Sequence, residues 1–381
     1  MRVVFIRSNP VMPDPRVEKE VNTLIGLGYE VKVLAWNRLT KNEKINKHGE
    51  LNLNNGSVPI RWFNIKASFG GGMKNLFALF TFLLFELGWL LKHRKEYDVI
   101  HACDFDTVIP AFICSKLFGK KYIYDIFDYY IDAYSVPSYL KPIIEKIDIF
   151  MIDSADAVII VNEIRFNQIK KSNPKNIYVI HNSPDITEYH LGEINIQNVN
   201  SNKPRFVYVG ILSDGRMLEE IVEVFETKKE WELHIGGFGE LEGYVKEKSN
   251  ENSNIFFYGK IPYSSTLKLE AESDVLFAVY DPIVPNHKYS SPNKFYEALI
   301  LGKPIIVAEG TGIDKIVVEH KVGKAIAFNK QAFMNACHEI INIKKNNIET
   351  SNVMQEIFKE KYSWSIMEKR LKKLYNELKW S

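Results

Sequence analysis

The chain reads as an α/β protein built from two doubly wound domains, and three observations lead there. Its 381 residues exceed what a single hydrophobic core usually serves. Short apolar runs alternate with helical patterns, the signature of parallel sheets with helices on both faces. That alternation breaks once, at the polar stretch ITEYHLGEINIQNVNSNKP, and restarts at Arg205. The expected division is therefore 1–185, a linker over 186–204, a second domain over 205–360 and a terminal helical segment over 361–381.

The first domain opens on a strand, Arg2 to Ile6. Asp14 then reads as a helix N-cap with Pro15 at the first helical position, because proline lacks the N–H that would go unpaired there. Val17, Val21, Leu24 and Ile25 share one helical face, and the helix ends at Gly26-Leu27-Gly28-Tyr29. Val31 to Ala35 completes a βαβ unit. Further strands are expected at Ile60 to Phe63, Asp98 to Ala102, Lys121 to Asp125, Ala157 to Val161 and Ile177 to His181. In the second domain they fall at Arg205 onward, Glu232 to Ile235, Ile255 to Tyr258, Asp274 to Tyr280, Pro304 to Ala308 and Lys324 to Phe328. YSWSIMEKRLKKLYNELKW closes the chain as a basic amphipathic helix, with Ile366, Leu371, Leu374 and Leu378 near one face.

Composition narrows the function. Hydrophobic content of 46% and charged content of 25% are those of an ordinary globular protein, and a formal charge of +2 demands no nucleic-acid partner. Cys103, Cys114 and Cys337 have neither disulfide nor metal-ligand spacing. The opening MRVVFIR has no long apolar core of a signal peptide, which leads us to expect a cytoplasmic protein. The apolar stretch Leu76 to Leu91 is shorter than the ~20 residues of a membrane span. Two readings of it stay open: a core helix packed on the sheet, or a helix that meets a membrane surface through Trp89, its phenylalanines and its basic flanks. No G-x-G-x-x-G follows the first strand, so a nicotinamide or flavin dinucleotide site has little support.

The most informative stretch is KYSSPNKFYEALILGKPIIVAEGTG, Lys288 to Gly312. Ser291 reads as the N-cap, Pro292 as the first helical residue and Gly302 as the stop. A helix N-terminus facing a cleft binds anions. Glu297 lies four residues beyond Asn293 on one face, about 6 Å along the axis at ~1.5 Å per residue. That offset suits a diphosphate and the ribose attached to it, whose two hydroxyls a single carboxylate can accept.

This segment resembles the donor-binding motif of the retaining nucleotide-sugar glycosyltransferases of GT-B fold, in particular glycosyltransferase family 4. That family carries two glutamates eight positions apart before an A-x-x-x-G-K-P-like ending. Glu297 matches the second and Tyr289 stands at the first, while Pro292-Asn293-Lys294 fits a Pro-x-Lys form seen in part of the family. Asp14-Pro15-Arg16-Val17 and VIHNSPD also resemble family segments. The resemblance implies two Rossmann-like domains with a deep interdomain cleft, donor on the second and acceptor on the first, and a terminal helix that crosses back to the first.

It further implies a nucleotide-diphosphate sugar as donor substrate, no metal or other cofactor, and a glycan or lipid-linked glycan as acceptor. The cations expected on the diphosphate are Arg216, five residues after the position following Gly210, and Lys294, which would replace the family arginine absent at Ile211. Gly210, Gly237 and Ile261, with Tyr263, would frame the nucleotide beside Ser291, Pro292, Asn293 and Glu297. At the first-domain strand ends, Cys103 and Phe127 stand where the family places histidines. Asp104 and Asp128 are the polar candidates there, either as sugar ligands or as helix caps. An epimerase acting on the same sugar nucleotide, and a non-catalytic subunit, are the alternative readings.

Overall fold

The computed structural model describes residues 1–38, 47–67, 72–134, 136–185, 191–197, 202–344 and 349–380. Residues 186–190 and 198–201 of the expected linker lie outside them. The chain forms two compact units, Met1–Asn182 with Met367–Ser381, and Ser183–Ile366.

In the first unit the strands are β1 (Arg2–Arg7), β2 (Glu30–Asn37), β3 (His48–Leu53), β4 (Gly56–Asn64), β5 (Val99–Cys103), β6 (Lys121–Ile126), β7 (Ala157–Ile160) and β8 (Ile177–Val179). They lie in the order β3-β4-β2-β1-β5-β6-β7-β8. Every pairing is parallel except β3 with β4. That antiparallel edge strand corrects the purely parallel expectation. Leu53 pairs with Gly56 across the two-residue turn Asn54-Asn55, and Gly56 follows at φ 143°, so a turn signal, Asn-Asn-Gly, stood in the sequence.

The expected first helix is present as Pro15–Gly26, and the Asp14 carboxylate accepts from the Val17 N–H at 3.4 Å. Burial of Val17, Val21 and Leu24 fits the periodicity. The terminal helix Trp364–Trp380 contributes Met367, Leu371, Leu374, Tyr375 and Leu378 to the buried interior. Its Arg370 donates to the Val179 carbonyl at 2.9 Å.

The second unit holds β9 (Arg205–Ile211), β10 (Glu232–Phe238), β11 (Ile255–Phe257), β12 (Val275–Ala278), β13 (Ile305–Ala308) and β14 (Gly323–Ile326), all parallel. Their order, β11-β10-β9-β12-β13-β14, is that of a Rossmann sheet, and it reverses between β9 and β12. Residues 191–197 pack on this unit: Gly192 donates to the Ser264 carbonyl at 3.0 Å, and Ile196 is buried beside Val207.

One polar chain lies inside the second sheet. Arg205 pairs with Glu232 at 3.3 Å, and His234 meets the Tyr258 hydroxyl at 2.8 Å. Burial lowers the His234 imidazole from 6.5 to about 4, against the pull of Glu232. A neutral histidine in the fold and a protonatable one in the unfolded chain give stability that is present above the unfolded value and lost as pH falls from 6.5 toward 4. In urea titrations, His234→Gln should remove on the order of 2 to 3 kcal/mol of that acid-side loss. An unchanged pH profile would show that His234 carries none of it.

Candidate functional site

In an open parallel sheet both faces are covered by helices, so polar groups collect at the carboxyl ends of strands, above all where the strand order reverses. In the second unit that point lies between β9 and β12, and it collects most of the residues expected from the sequence. Gly210 is near the end of β9, and a Cβ there would come within 2.7 Å of the Lys294 Nζ. The lysine is only 7% exposed. Its ammonium lies 4.3 Å from the centre of the Tyr208 ring. Burial opposes its charge, but Tyr280, Tyr208, Glu297 and Glu270 outweigh that and leave its pKa raised. Lys294 is therefore a buried cation.

Arg216 follows Gly215, whose φ of 71° makes the turn after β9. The guanidinium carbon sits 3.9 Å from the Tyr280 ring centre, and its Nε is buried without a hydrogen-bond partner among the described residues. The Gly215 carbonyl accepts from the Asp281 N–H at 2.9 Å, which fastens this turn to the segment beyond β12. Two cations thus face one strand end, and among the described residues no ion pair joins Arg216 to a carboxylate.

The helix of the informative stretch spans Asn293–Leu301, and its cap is Pro292, with no side-chain capping bond. This corrects the reading of Ser291 as cap and Pro292 as first helical residue. Pro292 has φ −64° and ψ 139°, an extended backbone that a cap adopts. Asn293 and Lys294 are then the first two helical positions, whose N–H groups have no partner within a helix. Asn293 is exposed. Gly302 stops the helix in a left-handed conformation, φ 61°.

Glu297 is 3% exposed, which rules out a solvated surface charge. Beside it lies Glu270, 1% exposed, on the helix Tyr263–Ala271. Burial, and then repulsion from Glu297, push the Glu270 carboxyl well above its ordinary range. Glu297 is raised by burial as well, tempered first by Lys294 and then by hydrogen bonds with Tyr263 and Glu270. Burial thus shifts both carboxyls upward next to the lysine, and sequence reading missed Glu270 because an acidic residue in a helical pattern looks solvated.

Gly237 and Ile261 lie at neighbouring strand ends. A Cβ on Gly237, where φ is 143°, would fall 1.9 Å from the Gly210 carbonyl oxygen, and Ile261 packs on Gly236. Gly237→Ala should therefore force β9 and β10 apart at this end and cost more than about 1 kcal/mol in urea unfolding. A variant as stable as the parent would show that the close approach is relaxed at no cost.

The first unit groups a second polar cluster at its own reversal point, between β1 and β5. Asp104 occupies the cap position of the helix Phe105–Phe118 without a capping bond. Its φ of 68° and ψ of 167° lie in a region reserved mostly for glycine, so the backbone is strained. The side chain instead ion-pairs with Arg7 and accepts from the N–H groups of Phe127 (2.8 Å) and Asp128 (3.1 Å). Burial pushes its carboxyl up to about 7, against the pull of Arg7. Asp128, with its side chain 48% exposed, pairs instead with the buried Arg165 at 3.1 Å. The reading of both aspartates as helix caps is thus replaced by ion pairs.

Arg7 and Arg16 both lie over the Phe127 ring, with their guanidinium carbons 4.1 and 4.7 Å from its centre. Deeper, Arg16 bonds Asp125 at 2.8 Å and the Ile180 carbonyl at 2.7 Å, and His101 meets the Tyr375 hydroxyl at 2.8 Å. His101, Cys103 and Asp125 place ligand atoms within 4.8 Å of one another, a grouping that sequence spacing did not suggest. The Arg16 guanidinium already meets the Asp125 charge, so these donors do not suit a further cation.

With this geometry described, comparison with known proteins is informative. Residues 203–342 match the family model described as Glycosyl transferases group 1. The whole chain superimposes on sucrose-phosphate synthase from Thermosynechococcus elongatus with a TM-score of 0.74 at 16% identity, covering 99% of both chains. It does so on Anabaena HepE in complex with UDP-glucose with a TM-score of 0.71 at 14% identity, over 99% of this chain and 100% of that one. The lipopolysaccharide outer core galactosyltransferase WaaB gives a TM-score of 0.67 at 15% identity, over 99% of each chain. The fold is GT-B. No curated protein sequence matches the chain. Within this GT-B chain the matched family segment contains Gly210, Arg216, Gly237, Ile261 and Glu297, the positions that the second-unit strand ends bring together.

Proposed function

We propose that the protein transfers a sugar from a nucleotide-diphosphate sugar to a hydroxyl acceptor, with retention at the anomeric carbon. The observation that carries this reading is the pairing of Lys294 and Arg216 at the β9 end beside a helix N-terminus, two cations where an anion can sit. Guanidinium and ammonium groups partner the diphosphate, and the N–H groups of Asn293 and Lys294 extend the same site. Glu297, three residues along the helix, takes the ribose hydroxyls, with Glu270 and Tyr263 holding its orientation.

Retention follows if attack and departure share one face of the sugar. The bond from the anomeric carbon to the diphosphate oxygen breaks, the acceptor hydroxyl forms the new glycosidic bond, and its proton passes to the departing phosphate oxygen. Arg216 and Lys294 stabilise the charge that grows on that oxygen. The chain needs no metal for this role, because two side chains supply the positive charge. The acceptor is a glycan or lipid-linked glycan presented to the first unit, where Asp104 and Asp128 are the polar candidates. The site of action is the cytoplasm, with peripheral contact at the inner face of the cell membrane.

Thermal stabilisation by a panel of UDP-, GDP-, ADP- and CDP-sugars identifies the donor, since a ligand bound only by the native state raises apparent stability. Against that donor, Glu297→Gln and Arg216→Ala should each weaken binding by about 10- to 100-fold, the equivalent of ~1.5 to 3 kcal/mol for a lost charged hydrogen bond. Arg216→Ala should also slow transfer. Unchanged affinity for the free nucleoside diphosphate in both variants would remove this site. Activity should survive excess chelator, and rescue of a chelator-inactivated enzyme by magnesium or manganese would count against the mechanism.

A further inference from the structure

The helix Leu76–Lys92 packs into the core along one side only. A single stripe, Ala78, Phe82, Glu86 and Leu90, is buried against the sheet. The opposite side is open, with Phe77 82% and Phe80 58% exposed, joined by Leu76, Leu84 and Phe85. A core helix covered by a second element would bury these residues, and a solvated helix would carry charges in their place. The one carboxylate of the helix, Glu86, points inward, where burial holds it well above the ordinary range. Lys74 before the helix and Lys92, Arg94 and Lys95 at its far end are all exposed.

The same helical layer continues through Phe105–Phe118 to Lys141–Ser154. There Ile143 and Phe150 are exposed with Lys146, and Phe150 meets Phe112 edge to face at 5.3 Å. The layer therefore offers exposed apolar side chains flanked by exposed cations, while the half-buried carboxylates of its last helix are already engaged, Glu145 by Lys171 and Asp153 by the Asn173 N–H.

We propose that this face is a docking surface for an anionic membrane. The helix lies in the plane of the interface, with its phenylalanines and leucines in the acyl boundary and its flanking lysines and arginine among the headgroups. No described helix is long and apolar enough to cross a bilayer. Charge decides between a membrane and a second copy of the chain. Both ends of the helix are basic, so a two-fold contact in either orientation would set cation against cation. An anionic lipid surface meets both ends favourably. The surface names the partner for the peripheral location proposed above but rests on its own observations, separate from the donor site.

Sedimentation with vesicles tests it, using phosphatidylcholine alone and with about 30% phosphatidylglycerol. The protein should pellet with the anionic vesicles at low salt and release as salt rises. The double variant Phe77→Ser/Phe80→Ser should bind at least about tenfold more weakly, since each exposed ring contributes apolar area. The triple variant Lys92→Gln/Arg94→Gln/Lys95→Gln should lose the preference for anionic lipid. Both should melt as the parent does, because the altered side chains are exposed. Three results would overturn the proposal: no pelleting at low salt, undiminished binding by the variants, or a solution dimer that the double variant dissociates. Donor-induced thermal stabilisation, measured on the same samples, separates the two ideas. Pelleting without stabilisation by any sugar nucleotide leaves the membrane surface standing and removes the transferase reading, and the converse removes the membrane surface alone.

Discussion

A lysine ammonium held out of water in the first turn of a helix is unfavourable twice over, by lost hydration and by the positive end of the helix dipole. Lys294 bears both penalties and stays charged. What offsets them is local: the Tyr208 ring face, the Glu297 and Glu270 carboxyls, and a strand end at which Gly210 has no side chain to displace it. Much else in the second unit follows from this. Gly210 and Gly237 must remain bare for β9 and β10 to close on the site, and Glu270 must be buried for the carboxyl pair to sit beside the ammonium. Remaining positive charge at such a place is the property an anionic ligand would use.

The first unit resolves a similar problem by pairing. Arg16, Glu20, Asp125, His101 and Tyr375 form a buried group drawn from the first helix, two strands and the terminal helix. Burial raises Asp125, but Arg16 and His101 together outweigh it and leave the carboxyl below its usual range, while Glu20 is pushed well above by burial and by Asp125. Such a group adds little net stability compared with an apolar core, yet removing one member leaves an uncompensated charge inside. It therefore specifies which elements meet. The terminal helix is held in this unit by that network and by its bonds to Val179 and to Thr23.

Periodicity and turn chemistry were enough to predict the architecture. Parallel strands covered on both faces must be continuous apolar runs, and helices must show one buried stripe, so Arg2–Arg7, Pro15–Gly26, Ile305–Ala308 and their like could be read directly. The helix start at Ser291 to Asn293 singled out Glu297 by its spacing, whereas Gly210, Arg216 and Lys294 were implied by the resemblance to GT-B glycosyltransferases. The Asn54-Asn55-Gly56 turn is also visible in the sequence, but β3 before it is half exposed and lacks the apolar run that marks a strand.

Tertiary structure decided the matters that depend on which residues meet across the chain. The shift of the helix cap from Ser291 to Pro292 is a backbone detail that both residue types tolerate. The partnership of Glu270 with Glu297, 27 residues apart, has no periodic trace. The same holds for Arg7 with Asp104 and Arg165 with Asp128, ion pairs between residues far apart in the chain. Burial of Glu86 beneath an open apolar face was likewise undetermined by its sequence neighbours, because hydropathy records how apolar a helix is and only packing selects the side that faces the core.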